Sequence, residues 1–329
     1  MRVIKRSMRV SLLCAFTSAG IFGGLMPAAS SEEMTLRVGK SVGPAFAQVP
    51  IDVGIQYGLF KEQGLDIELT SFGGGGNLSQ AMIADSVDIG ITATPELALI
   101  PKGAPFKAIA LLGIAPYDLI IVVGNDSVIK AVDDLKDRKI AVTGLHSLTA
   151  WLTMDLSRIK GWGVNGIKLV GANSQTGHVA MMRTGDIDGA VSDISLGYDF
   201  EEKKQGRILL NFGSFVPSLA TGVVTATSHI MRENPKAVRA FLKGWTNTIS
   251  FIYAHEDKAI PVFARIMNRS AAVATQSLNA VLPTNYFSRD GRFDPKIVMP
   301  LADAYVSMGL LDQTPDMTKL YTEEFLPPR

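Results

Sequence analysis

The chain writes a similar eight-residue phrase twice, 100 residues apart. Ala84-Asp85-Ser86-Val87-Asp88-Ile89-Gly90-Ile91 is echoed by Thr184-Gly185-Asp186-Ile187-Asp188-Gly189-Ala190-Val191. A helix-like stretch leads into each copy (Leu78 to Ala84; His178 to Thr184), and a short β-branched run that reads as a buried strand closes it. One helix-to-strand joint is therefore expected in each of two α/β lobes. Two such lobes with a cleft between them can close on a small molecule, so the echo points to binding before any catalytic motif is sought. Asp88 and Asp188 stand at strand starts, where a carboxylate satisfies turn amides, and are read as structural.

The 329 residues are 47% hydrophobic and 19% charged, near the globular average and long enough for two domains. Residues 1–30 carry Arg2, Lys5, Arg6 and Arg9 without an acid, then an apolar stretch from Val10 to Met26 and a small-residue exit at Pro27-Ala28-Ala29-Ser30. That is the pattern of a secretory signal peptide. The sole cysteine, Cys14, lies inside it with Leu13 before it, a poor site for lipid attachment. Without the segment no thiol, disulfide or cysteine-ligated metal is expected. Removing its four basic residues from 32 leaves 28 against 31 acids, a net charge of −3 that does not favour nucleic acid.

From Met34 onward, apolar runs and amphipathic stretches alternate as in βαβ units. Strands are expected over Leu36 to Lys40, Asp66 to Phe72, Ile89 to Ile91 and Lys107 to Leu112. A helix from Pro50 to Tyr57 and a second one capped by Asn77, after a turn from Gly73 to Gly76, lie between them. Leu119 to Val123 reads as the strand that leaves this lobe. Strands at Ile140 to Val142, Lys168 to Val170 and Gly189 to Val191 follow, with a hydroxyl-capped helix from Ser147 to Ile159. Arg207 to Leu210 is expected to begin the return. Beyond Ser228 the chain reads as mostly helical, and so strand-poor a third is expected to pack back on the first lobe.

The string Gly58-Leu59-Phe60-Lys61-Glu62-Gln63-Gly64-Leu65-Asp66-Ile67-Glu68-Leu69, with the glycine run and Asn77 after it, resembles the start of a known family. These are the ABC-transporter periplasmic solute-binding proteins of the nitrate, sulfonate and taurine (SsuA/NMT1/THI5-like) type. Asp134-Leu135-Lys136-Asp137-Arg138-Lys139-Ile140-Ala141-Val142 resembles that family's entry into its second lobe. The resemblance covers nearly the whole chain after the signal peptide. It implies an α/β, two-lobed periplasmic-binding-protein type II fold with two crossovers and a ligand cleft between lobes. On that reading residues 31–117 plus 213–329 form lobe 1 and residues 118–212 form lobe 2. The implied role is a monomeric periplasmic component of an ABC importer. It would capture a small organic solute (a sulfonate, taurine-like compound, carboxylate or heterocyclic precursor) and deliver it to a permease with its ATPase. A receptor-linked solute sensor and a secreted THI5-like enzyme are the alternatives.

Ligands of open α/β sheets sit beyond the carboxyl ends of the strands. The loops there are Ser41 to Gln48, Gly73 to Asn77, Thr92 to Pro95, Thr143 to Thr149 and Ser192 to Ser195, rich in glycine, hydroxyls and amides and nearly empty of lysine and arginine. The candidate ligand-binding residues are Ser41, Phe46, Gln48, Gly75, Gly76, Asn77, Thr92, Thr94, Tyr117, His146, Ser147, Thr149 and Asp193. The amides of Gly75, Gly76 and Asn77 and the hydroxyls of Thr94, Ser147 and Thr149 suit a sulfonate or carboxylate, and a neutral heterocycle fits the same set. Phe46, Trp151 and Tyr117 are candidates for an apolar wall, although burial in a helix face is the plainer reading of Trp151. Asp193 would repel an anion and so argues for a solute with a donor group. Hinges are expected near Pro116 to Leu119 and Leu210 to Val216.

No catalytic motif emerges. The glycine run lacks the Gly-Lys-Ser/Thr ending of a phosphate loop, Leu78 stands where a dinucleotide fingerprint needs glycine, and no serine sits in a GxSxG elbow. His146, His178, His229 and His255 show no metal-ligand spacing. No catalytic residue, metal or cofactor is expected.

Overall fold

The computed structural model describes residues 34–172 and 177–328. The expected signal peptide, Cys14 included, lies outside the described residues. Among the described residues no helix is long and apolar enough to cross a membrane.

The echoed phrases are one joint built twice. Helix α2 (Gly75–Ile83) ends where Asp85 takes a left-handed φ of 55°, and α4 (His178–Thr184) ends where Gly185 takes 76°. The next amide in each copy reaches back to the same place, Ser86 N–H to Ala81 O and Asp186 N–H to Met181 O, both at 3.0 Å. This is a Schellman-type stop, which turns the chain sharply into a strand.

The strands that follow belong to two five-stranded sheets of one topology. Sheet 1 contains β1 (Met34–Lys40), β2 (Leu65–Ser71), β3 (Ile89–Ala93), β4 (Phe106–Gly113) and β10 (Gly222–Thr227), in the order β2-β1-β3-β10-β4. Sheet 2 contains β5 (Leu119–Gly124), β6 (Lys139–Val142), β7 (Lys168–Gly171), β8 (Gly189–Asp193) and β9 (Gly206–Asn211), in the order β7-β6-β8-β5-β9. In each sheet the first three positions are parallel. The fourth, β10 or β5, runs antiparallel to both of its neighbours. The chain leaves sheet 1 after Gly113 and enters sheet 2 at Leu119; it leaves sheet 2 after Asn211 and re-enters sheet 1 at Gly222. Those are the two crossovers.

One expectation needs correction here. Arg207 to Leu210 does not begin a return: β9 stays in sheet 2, paired with β5. The returning strand is β10, for which the sequence reading had no element. All six of its residues are buried between β3 and β4, so it shows no alternation of polar and apolar residues, and its Gly-Val-Val-Thr-Ala-Thr run has little length to register as a strand. Helix α8 (Glu256–Met267) falls within the mostly helical stretch expected beyond Ser228.

The helices that cover sheet 1 come from both ends of the chain. Helix α1 (Pro50–Gln56) packs on α7 (Pro235–Ala254), whose buried face carries Phe241, Trp245, Ile249 and Ile252 at helical spacing. Phe241 stacks on Phe60 with ring centroids 5.1 Å apart. Each fully buried side chain of this size contributes roughly 1.5–3 kcal/mol. Beyond α9 (Ala271–Val281), residues 286–291 run along the outer edge of β4, with Ser288 N–H donating to Leu112 O at 2.8 Å and Leu111 N–H to Gly291 O at 2.7 Å. The C-terminal third also touches sheet 2. Helix α9 lies against α5 (Ile194–Glu202), and α11 (Pro300–Ser307) reaches the N-terminal end of α3 (Leu148–Ile159).

Candidate functional site

The carboxyl ends of β1, β3, β6 and β8 and both crossovers share one region, because Leu119 pairs with Asp193 and Gly222 pairs with Ala93. In sheet 1 the loop after β1 is held from below. Lys40 is 3% exposed and gives its Nζ to Asp52 at 2.7 Å and to Gly43 O at 2.9 Å. Above that pair Ser41 and Gln48 are spent on each other: Gln48 Nε2 donates to Ser41 Oγ at 2.7 Å, and Gln48 Oε1 accepts from Val42 N–H at 3.1 Å. Phe46 is fully buried, packed with Phe263 and Phe287 at centroid distances of 5.1 and 5.9 Å, so this expected wall residue is part of the core.

The glycine turn is stitched to the same loop by Gly74 N–H to Ser41 O at 2.8 Å. Helix α2 begins at Gly75 with Gly74 as its N-cap, and Asn77 is an exposed third residue of the helix. Asn77 therefore does not cap it, a correction that follows from Gly74 taking a φ of 137° and opening the helix three residues early. The Glu96 carboxyl lies against the α-carbon of Gly75, where a β-carbon would fall 1.6 Å from Glu96 Oε1. Its Oε2 is buried without a hydrogen-bond partner, and burial pushes the group up to about 7. The hydroxyl of Thr92 lies on the same side and opposes that shift, although it makes no hydrogen bond of good geometry. Thr94 is committed to the second crossover, Oγ1 to Ala220 O at 3.0 Å, and its carbonyl accepts from Tyr305 of α11 at 2.8 Å.

In sheet 2 the loop after β6 closes on itself. Thr149 Oγ1 accepts from Thr143 N–H at 3.0 Å and meets Ser147 Oγ at 2.8 Å, while Ser147 caps α3 through Ala150 N–H. His146 Nδ1 meets Met308 O at 2.9 Å and Trp151 Nε1 donates to Ser307 Oγ at 3.1 Å. Helix α11, which holds Thr94 just beyond β3, thus reaches the second loop set as well. Asp193 caps α5, accepting from the N–H groups of Ser195 and Leu196; burial raises its carboxyl, with Arg269 acting in the other direction.

The crossovers add residues that sequence reasoning missed. Tyr117 lies over Gly213, one crossover against the other, and Asn211 Nδ2 donates to Tyr117 O at 2.7 Å. Asp118 is buried at the end of the first crossover with its carbonyl accepting from Ile194 N–H at 2.8 Å. Thr221 ends the second crossover, and the Tyr286 hydroxyl stands near both. Asp118 lay within the expected first hinge and Glu96 one residue beyond an expected loop, so position alone was the available signal. A cavity of about 560 Å³ opens elsewhere, beside β4, lined by Leu111, Phe287, Arg289, Arg292 and Glu323. Its cations are engaged: Arg292 pairs with Glu323 at 2.9 Å and Arg289 lies 3.6 Å from the Tyr253 ring centroid. The convergence of loops and crossovers is the stronger candidate. Among the described residues no group of His, Cys, Asp and Glu side chains is placed to hold a metal ion.

Residues 46–259 match the family model described as NMT1/THI5 like, which is more than half of the chain. The chain belongs to the NMT1/THI5-like family. Many solved structures share its fold. The Candida albicans CA3427 gene product, described as having the generic periplasmic binding protein fold, is 18% identical, with 90% of this chain and 98% of that one covered and a TM-score of 0.73. The periplasmic aliphatic sulphonate binding protein SsuA of Escherichia coli is 18% identical, with 88% and 92% covered and a TM-score of 0.70. The desulfurization enzyme DSZB is 16% identical, with 89% and 97% covered and a TM-score of 0.63. No curated protein sequence matches this chain. The NMT1/THI5-like chain thus has the two-lobed α/β fold of periplasmic binding proteins.

Proposed function

We propose that this protein is the monomeric solute-binding component of an ABC importer, exported through residues 1–30 to the periplasm. It captures a small organic solute and delivers it to a permease with its ATPase. One observation carries the reading: two sheets of the same topology, joined by two crossovers, turn their polar loop sets and the crossovers toward one region. Lobe 1 is assigned residues 31–117 plus 213–329 and lobe 2 residues 118–212. The solute is held between the amides of Gly75, Gly76 and Asn77 with Thr92 on one side and Ser147, Thr149 and Asp193 on the other. Bound to one lobe, it favours closure by adding contacts to the other, and the closed surface is what a permease reads. DSZB shows that the fold also carries enzymes, so the test has two arms.

Thermal-shift measurements on the purified protein, against alkanesulfonates, taurine, aromatic carboxylates and pyrimidines, read binding. Product analysis of the same mixtures reads turnover. A ligand at 100 times its dissociation constant stabilises by about 2.7 kcal/mol, a clear rise in melting temperature. A rise without product supports the transport reading, and product formation overturns it.

A further inference from the structure

We infer that the solute carries a nitrogen donor, an ammonium or the amino N–H of a heterocycle, and that Asp118 receives it at the floor of the cleft. The inference rests on the solute-binding reading above. Asp118 is 6% exposed, and its Oδ1 is buried without a hydrogen-bond partner. Thr221 is 5% exposed, and its Oγ1 is in the same condition. Buried carboxylates and hydroxyls are nearly always satisfied, because an unmet acceptor loses its hydration for nothing. Among the described residues no cation pairs with Asp118. The groups that face it are the Tyr286 hydroxyl, which stabilises the carboxylate in part and leaves Oδ1 unmet, and Asp193, which raises its proton affinity.

The place is where a solute would lie. Asp118 immediately precedes the strand residue that pairs with Asp193, and Thr221 immediately precedes the one that pairs with Ala93. Both unpartnered oxygens therefore stand at the carboxyl ends of the central strands, one at the end of each crossover. Gly113 allows the close approach of Thr221 and Tyr286: a β-carbon there would fall 2.3 Å from Thr221 Oγ1 and 3.0 Å from the Tyr286 hydroxyl. Asp118, Thr221 and the Tyr286 hydroxyl thus form one buried polar group where the two crossovers meet.

A solute that is only an anion has no proton to give Asp118 Oδ1. It would have to keep Asp118 protonated and lie beside Asp193, while an N–H donor would satisfy Oδ1 and an ammonium would also offset the carboxylate. Burial pushes Asp118 up to about 7, so an incoming cation would displace its proton near neutrality. Binding of an amine should therefore tighten from pH 6 to pH 8.

The experiment is calorimetric titration of the purified protein with matched probes. These are taurine against isethionate, β-alanine against 3-hydroxypropanoate, and 4-aminopyrimidine against 4-methylpyrimidine. The first two pairs read an ammonium and the third an amino heterocycle. In the pair that binds, the amino member should be at least tenfold tighter, and Asp118→Asn should cut that preference to below threefold. Thr221→Val, which keeps the carboxylate, should weaken the amino member alone. This second variant carries the test if Asp118→Asn does not fold. Equal or tighter binding of the amine-free member, or a preference that survives both substitutions, overturns the inference and leaves solute binding standing. Binding of none of the six probes to folded protein counts against the solute-binding reading itself, and this inference falls with it.

Discussion

Asp88 and Asp188 hold the same post in their two sheets: Asp88 Oδ2 accepts the N–H of Arg37 at 2.9 Å, and Asp188 Oδ2 accepts the N–H of Lys139 at 2.8 Å. Each aspartate also returns its own N–H to the carbonyl of the same partner at 2.8 Å. The equivalence ends at the side chains. Asp88 is 7% exposed and takes Arg37 Nη2 at 2.6 Å and Nε at 3.0 Å, whereas Asp188 is 36% exposed with Arg138 at 3.9 Å. Asp88→Ala should therefore cost about 2 kcal/mol, since it strands a backbone donor while the half-exposed Arg37 guanidinium turns to water, and Asp188→Ala about 1 kcal/mol. Urea denaturation of the two variants checks the order.

Stability should fall as pH rises from about 4 to about 7. Burial holds the Glu96 and Asp118 carboxyls up to about 7 in the folded protein, while in the unfolded chain both titrate near 4. Across that window the native state binds more protons than the unfolded state, so the charge penalty grows with pH and is complete above about 7. Tyr305 faces Glu96, and Asp193 and Tyr286 face Asp118, so no neighbouring cation relieves either group directly. The bound is about 4 kcal/mol per group, and relaxation should leave about 1–2. Melting temperatures from pH 4 to pH 8 should show the decline, and Glu96→Gln and Asp118→Asn should each flatten it.

Thr149→Val should lower stability by about 1–3 kcal/mol, because Thr143 N–H and Ser147 Oγ both lose a partner in a loop that closes on itself. Thr149→Ser keeps the oxygen and should recover most of the loss. A chemical denaturation series on the three proteins reads this, and solute affinity should follow stability because the same oxygen shapes the loop.

The joints and the parallel strands were legible in the sequence because each has a local signature. A left-handed residue after a helix and a β-branched run, as at Asp85 and Gly185, need no long-range information. Strand β10 was not legible: its six buried residues read as a strand only once β3 and β4 stand on either side. The same divide runs through the site. Loop positions such as Thr143 to Thr149 follow from strand ends, but Glu96 and Asp118 gain their character from burial by Tyr305 and Tyr286, more than 160 residues away in the chain. Phe46 fails in the other direction, since a loop phenylalanine gives no sign that Phe263 and Phe287 enclose it.

Tyr117 and Gly213 couple the two crossovers, and the coupling is measurable. A β-carbon on Gly213 would fall 2.3 Å from Tyr117 Cδ1, so Gly213→Ala must push the ring away from the second crossover. Overpacking of this kind costs about 1–3 kcal/mol. Tyr117→Leu removes the ring and should cost a comparable amount by itself through lost contact. In the double variant the new methyl has nothing to strike, so the combined loss should fall short of the sum by about 1 kcal/mol or more. A double-mutant cycle in urea gives the number. If the two losses simply add, the crossovers move independently and the closure of the lobes is not governed at this contact. If they do not, ring and glycine form one mechanical unit, and Gly213→Ala should also shift small-angle scattering toward the more open form.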